Sequence, residues 1–176
     1  MSSFETLNIN LLSMKEDSME FSCQLNDEFF QSLDDAQIQH GDVDATVSIR
    51  KAGSDDFALQ IGIQGVVTVE CDLCLDDMEQ PIEGSSTYIV KLGQSSDETD
   101  DVITVNENEG ILRLGWLIYE LIALAVPIKH VHAPGKCNDA MTRKLEELSA
   151  TRSGDETAED DIDPRWAELG KLKIKD

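Results

Sequence analysis

Val43-Asp44-Ala45-Thr46-Val47-Ser48-Ile49-Arg50 and Phe57-Ala58-Leu59-Gln60-Ile61-Gly62-Ile63 alternate apolar and polar residues without a break. Alternation of period two puts every second side chain on one face of an extended chain, so each stretch predicts a half-buried β-strand. Val43, Ala45, Val47 and Ile49 form the apolar face of the first, and Phe57, Leu59, Ile61 and Ile63 that of the second. The intervening Lys51-Ala52-Gly53-Ser54-Asp55-Asp56 is rich in turn formers, and the two strands read as a hairpin.

Working outward, the same alternation occurs at Leu7, Ile9 and Leu11 and at Phe21, Cys23 and Leu25. Asn26 is placed to cap a helical turn or two over Asp27 to Leu33. On the other side, Gly65 permits a bend or bulge, after which Val67 and Val69 carry a further strand into Cys71-Asp72-Leu73-Cys74. Another long strand, about Ser85 to Leu92, is expected to return antiparallel. Gly93 to Asp101 is an acidic loop without apolar side chains, and Val102-Ile103-Thr104-Val105 predicts a short strand after it.

Beyond this point the period changes. Ile111, Leu114, Ile118, Leu121, Ile122 and Ala125 recur at helical spacing, with Trp116 and Tyr119 beside them, and Pro127 marks the end. The apolar run Ile111 to Ile128 approaches the length of a membrane span. Arg113 and Glu120 lie inside it and Gly115 and Pro127 interrupt it, so a buried helix is the better reading. A second helix is expected from about Asn138 to Ala150. The expected fold class is α+β: an antiparallel sheet, partly rolled toward a barrel, packed by one long helix over Ile111 to Val126, in a single domain of residues 1–150. Residues 151–162 read as an acidic disordered linker, and residues 163–176 as a short amphipathic helix that opens on Asp163-Pro164. Arg165, Trp166 and Leu169 are its candidate partner-binding residues. The segment either docks back on the domain or binds a partner, and the basic Lys171, Lys173 and Lys175 favour a partner.

Fourteen Lys and Arg against thirty-six Asp and Glu give a formal charge of −22, which disfavours non-specific binding to naked nucleic acid. Such a field attracts basic proteins, or simply keeps the chain soluble. Met1-Ser2-Ser3-Phe4-Glu5-Thr6 has neither the basic nor the apolar region of a secretory signal, so a cytoplasmic location is expected. In a reducing compartment the four cysteines are thiols or metal ligands.

Cys71 and Cys74 have the spacing at which two thiolates face one metal, or two thiols close a small disulfide ring. The segment Lys129-His130-Val131-His132-Ala133-Pro134-Gly135-Lys136-Cys137 is the one place that concentrates His with Cys. Cys71, Cys74, His132 and Cys137 together supply a tetrahedral Cys₃His set, with His130 as the alternative to His132. A closed thiolate-rich zinc site is structural, because a catalytic zinc keeps an open position. The competing reading is packed or free thiols with surface histidines. A redox pair normally opens a helix, whereas strand patterns flank this one. Cys23 fits the inward face of a strand, and His40 a solvent-exposed loop. Phosphate-loop, dinucleotide, nucleophile-elbow and H-E-x-x-H signatures are all missing, and no enzyme is expected.

Three stretches in order carry a resemblance. They are Gly65-Val66-Val67-Thr68-Val69-Glu70-Cys71-Asp72-Leu73-Cys74-Leu75, Glu120-Leu121-Ile122-Ala123-Leu124-Ala125-Val126-Pro127, and Asp163-Pro164-Arg165-Trp166-Ala167-Glu168-Leu169. With them the chain resembles the YceD-like family, described as large ribosomal RNA subunit accumulation proteins, over roughly residues 15–172. The resemblance implies a non-enzymatic ribosome biogenesis factor in the bacterial cytoplasm. Many members carry Arg between the paired cysteines and a second cysteine pair after the proline; here Asp72-Leu73 and then His130, His132 and Cys137 stand instead. The charge makes a basic ribosomal protein or a pre-ribosomal particle the expected partner. The alternative is a zinc-stapled interaction module unrelated to ribosomes.

Overall fold

The computed structural model describes residues 7–33, 37–53, 55–94 and 102–148. The expected linker and tail, with Arg165, Trp166 and Leu169, lie outside them. In chain order the elements are β1 (Asn8–Asn10), a 3-10 turn (Leu11–Ser13), β2 (Ser18–Leu25), α1 (Asp27–Gln31), β3 (Gly41–Lys51), β4 (Asp56–Glu70), β5 (Asp77–Gly93), β6 (Val102–Asn106), β7 (Ile111–Arg113), α2 (Leu114–Ala125) and α3 (Asp139–Leu148). The described residues up to Thr142 fall in one compact unit, and those from Arg143 in a second.

The hairpin forms as its alternation dictates. Ala45 faces Ile63, Val47 faces Ile61 and Ile49 faces Leu59 across the β3–β4 ladder. All six are buried, with Val43 and Phe57 beside them, and they make one wall of the core. Cross-strand neighbours of this kind are the unit from which a sheet gains stability. The sheet runs in the order β2-β3-β4-β5-β6, with a separate two-stranded ladder of β1 and β7.

Several expectations change. The sheet is mixed, because β6 pairs with β5 in parallel while the other pairs are antiparallel. It is open, with β2 and β6 as its two edges among the described residues, and no barrel closes. The helix is shorter than its sequence pattern: Ile111–Arg113 is strand, with Ile9 opposite Leu112, and α2 covers twelve residues. Ile111 is accordingly exposed, while Leu114, Ile118, Leu121 and Ile122 of α2 are buried as the periodicity requires. Val126 ends α2 in an extended conformation, as a residue before proline prefers. No described helix is long and apolar enough to cross a membrane.

At Gly65, which permits a bend or bulge, β4 runs on unbroken. Gly65 faces Val43 on one side and Ile82 on the other without a skipped residue. The glycine is there for close approach, since a Cβ on it would lie 2.3 Å from the Asp42 carbonyl oxygen and 2.6 Å from the Val43 Cα. β5 begins at Asp77, eight residues earlier than its sequence pattern suggests, and pairs with β4 along the full length of that strand.

Two local features close the core. Phe29 and Phe30 of α1 are fully buried, their rings edge to face at 5.3 Å. The Tyr119 hydroxyl accepts the backbone N–H groups of Gln37 (3.0 Å) and Ile38 (3.5 Å), which fastens the approach to β3 onto α2. Cys23 is half-buried on β2, and its thiol is pushed up by burial and then by the nearby Asp44 charge. His40 is solvent-exposed and sits 3.2 Å from Asp27, whose other oxygen accepts the Gly41 N–H.

The two glycines of β4 separate backbone crowding from side-chain crowding. Gly65→Ala must displace the β3 backbone and should lower unfolding free energy by about 2–3 kcal/mol. Gly62→Ala meets only the Thr46 hydroxyl, which can rotate away, and should stay within about 1 kcal/mol of the parent. Denaturant unfolding of the two variants measures the difference.

Candidate metal centre

The cysteine turn begins where β4 stops. Beyond Glu70 the Cys71 N–H donates to the Asp76 carbonyl (2.9 Å) and the Leu75 N–H donates to the Cys71 carbonyl (2.9 Å). This folds Cys71 to Asp76 back on itself and brings Cys74 toward Cys71. Closing it puts Leu75 in the left-handed region at φ 61°, which an L residue adopts at a cost.

The second half arrives on the chain leaving α2. The Asp72 N–H donates to the His130 carbonyl (3.0 Å), and the His130 N–H donates to Asp72 Oδ2 (2.7 Å). This reciprocal pair clips the two segments together next to the sulfurs. After His132, Ala133-Pro134-Gly135-Lys136 forms a tight turn with Gly135 at φ 78° and the Lys136 N–H on the Ala133 carbonyl (2.9 Å), as in a type II turn. That turn returns the chain so that Cys137 faces Cys71. Asn138 follows as the cap of α3: its Oδ1 accepts from Ala140 (3.0 Å) and Met141 (3.4 Å), and its Nδ2 donates to Asp76 Oδ2 (3.2 Å).

Four donor atoms converge as a result. Cys71 Sγ lies 3.9 Å from Cys137 Sγ, and Cys74 Sγ lies 3.3 Å from His132 Nδ1. All four donors of Cys71, Cys74, His132 and Cys137 fall within 4.8 Å of one another, with the first two residues buried and the others half-buried. A tetrahedral zinc with sulfur ligands at about 2.3 Å spaces its sulfurs about 3.8 Å apart and its sulfur–nitrogen pairs about 3.6 Å apart. The residues present fit such an ion in type, number and spacing. The cysteines are free thiols, at separations well beyond a disulfide bond.

His130 is directed elsewhere. Its Nδ1 is 2.9 Å from the Pro127 carbonyl and its Nε2 is 3.7 Å from Asp72 Oδ1, so it braces the turn from outside the four-residue group. Asp72, Asp76 and Asn138 were not singled out as site residues by sequence reasoning, yet they position those that were. Their one signal was the habit of short Asx side chains to bond nearby backbone at turns and caps.

The thiols do not ionise independently. Burial acts to raise Cys71, but the N–H groups of Cys74, His132 and Leu73 and the Cys74 thiol outweigh it and bring it down to about 6. Burial also acts on Cys137, and its contacts with Cys71 and Cys74 add to it, so that thiol is pushed up to about 11. One sulfur readily carries negative charge and the next resists it. A divalent cation held among them would reverse that resistance, because thiolates would be its ligands.

Leu75 offers a separable test of the turn. It is 62% exposed, so Leu75→Gly loses little burial while removing the left-handed strain. The variant should be more stable than the parent by up to about 1 kcal/mol in denaturant unfolding.

A family model described as large ribosomal RNA subunit accumulation protein YceD matches residues 59–173. No curated protein and no solved structure matches the chain. The matched span takes in most of β4, the cysteine turn, α2 and all four converging donors, and it covers well over half of the sequence. The chain belongs to the large ribosomal RNA subunit accumulation protein YceD family.

Proposed function

We propose that the protein is a non-enzymatic factor of ribosome biogenesis in the cytoplasm, supporting accumulation of large-subunit ribosomal RNA, and that it acts through a basic ribosomal protein or a pre-ribosomal particle. The family match over residues 59–173 carries this reading. The formal charge of −22 supports a basic protein as the point of contact, since a phosphate backbone would be repelled over most of the surface. The converging donors support a structural role for the centre: four protein ligands fill a tetrahedral zinc and leave no position for a substrate.

In this reading Cys71, Cys74, His132 and Cys137 hold zinc, and the Asp72–His130 clip and Asn138 hold the ligand-bearing turns. Zinc would neutralise the thiolates and lock the end of β4 to the chain beyond α2. About one zinc per chain is expected by elemental analysis of the purified protein. Cys71→Ser or Cys137→Ser should lose the metal and with it thermal stability, whereas His130→Ala should keep the metal. A metal-free parent of unchanged stability would count against the centre.

Partner identity is read by affinity capture from lysate with and without nuclease, at two salt concentrations. Ribosomal proteins retained after nuclease and reduced by salt are the expected result. Loss of every partner on nuclease treatment would point to direct RNA contact, and an absence of ribosomal proteins would point to an interaction module unrelated to ribosomes.

A further inference from the structure

β6 and β7 follow one another in the chain, separated only by residues 107–110, yet they are not hydrogen-bonded to each other. β6 pairs with β5 and β7 pairs with β1. Between β6 and the β1–β7 ladder lies an open groove of about 830 Å³, lined by Ile103, Val105, Ile111, Leu112, Trp116 and Leu117. Trp116 and Ile111 are 46% and 43% exposed in it, large apolar side chains left facing solvent.

Among the described residues no strand covers this edge. A sheet edge presents unpaired N–H and C=O groups, and proteins blunt it with charge, proline or a cover. β2, the opposite edge, carries Glu20 in mid-strand, whereas β6 is Val-Ile-Thr-Val-Asn with no charge and no proline. Its nearest described charges lie beyond its C-terminal end. Glu107 and Glu109 follow it and are exposed. Arg113 is the single basic residue lining the groove.

We propose that the β6 edge and the Trp116 groove are the docking surface for an extended strand of a partner protein, one with alternating apolar residues and a basic flank, which adds to the sheet beside β6. Main-chain hydrogen bonds to the open edge would supply affinity, and the groove would take the strand's apolar side chains. A basic flank matches the exposed carboxylates of Glu107 and Glu109 at the end of β6. A second copy of the chain is the poorer occupant, because edge-to-edge pairing would bring together two chains that each carry −22. The basic character of the partner rests on the proposed function, but the strand-addition surface itself does not.

The probe is a synthetic peptide of alternating Val and Thr with Lys-Arg at each end; its control carries Asp-Glu flanks. With full-length protein, the basic peptide should slow amide exchange across Val102–Asn106 and shift Trp116 emission in a Trp166→Phe background. The acidic control should bind at least tenfold more weakly. Trp116→Ala should weaken the basic peptide about tenfold by calorimetry. Glu107→Lys with Glu109→Lys, both at exposed positions, gives a second reading if Trp116→Ala fails to fold, and should shift preference toward the acidic peptide. Unchanged exchange at β6 would overturn the proposal, as would a concentration-dependent dimer abolished by Ile111→Glu. Capture from nuclease-treated lysate separates the two readings. Ribosomal protein held by the parent and lost from Trp116→Ala supports both, and ribosomal protein held equally by both overturns the groove alone. None held by the parent, with the peptide still protecting β6, overturns the ribosomal reading alone.

Discussion

The unbroken pairing of β4 on both sides is the constraint from which the rest of the first unit follows. Phe57 to Val67 are matched to β3 on one flank, and all fifteen of its residues to β5 on the other. Every backbone group of a strand in that position is committed, so its side-chain phase cannot slip without turning Phe57, Leu59, Ile61 and Ile63 out of the core. The phase holds through Gly65 only because that residue has no Cβ to strike β3. It is this fixed phase that delivers Cys71, fully buried, at the point where the strand ends.

The candidate metal centre then depends on two kinds of order. Backbone hydrogen bonds shape each of its turns, and the reciprocal Asp72–His130 pair sets one turn against the other. Both turns are hydrogen-bonded without an ion, so a metal held there would order little that is not already ordered. The apolar core under α2 and this polar clamp are separate devices at different places along β4. The first is non-directional and tolerant of detail, the second directional and intolerant of it.

How much of this was legible follows from which physical signal each element leaves. β3 and β4 were plain because strict alternation over many residues has one reading. The convergence of Cys71, Cys74, His132 and Cys137 could be anticipated from ligand chemistry, since only those residue types gather near a turn in this chain. Ile111–Arg113 was read as helix because three residues cannot distinguish a period of 3.6 from one of 2 when their neighbours are helical. The start of β5 was missed because Asp77 to Glu83 is largely polar and contains Pro81. That stretch of β5 has β4 on one side only, where a residue lacking an N–H is tolerated. The parallel direction of β6 left no local trace at all, for strand direction is decided by the route of the chain and not by the side chains of the strand.

The separation of the ligands along the chain gives the centre a reach beyond its few ångströms. Cys71 and Cys137 are 66 positions apart, and between them lie β5, β6, β7 and α2. An ion shared by those two sulfurs would act on the unfolded chain as a cross-link, closing a loop whose lost freedom corresponds to about 4 kcal/mol. Nearly half of the first unit would then be tied into a ring, and its persistence in the folded state would track the supply of metal in its surroundings.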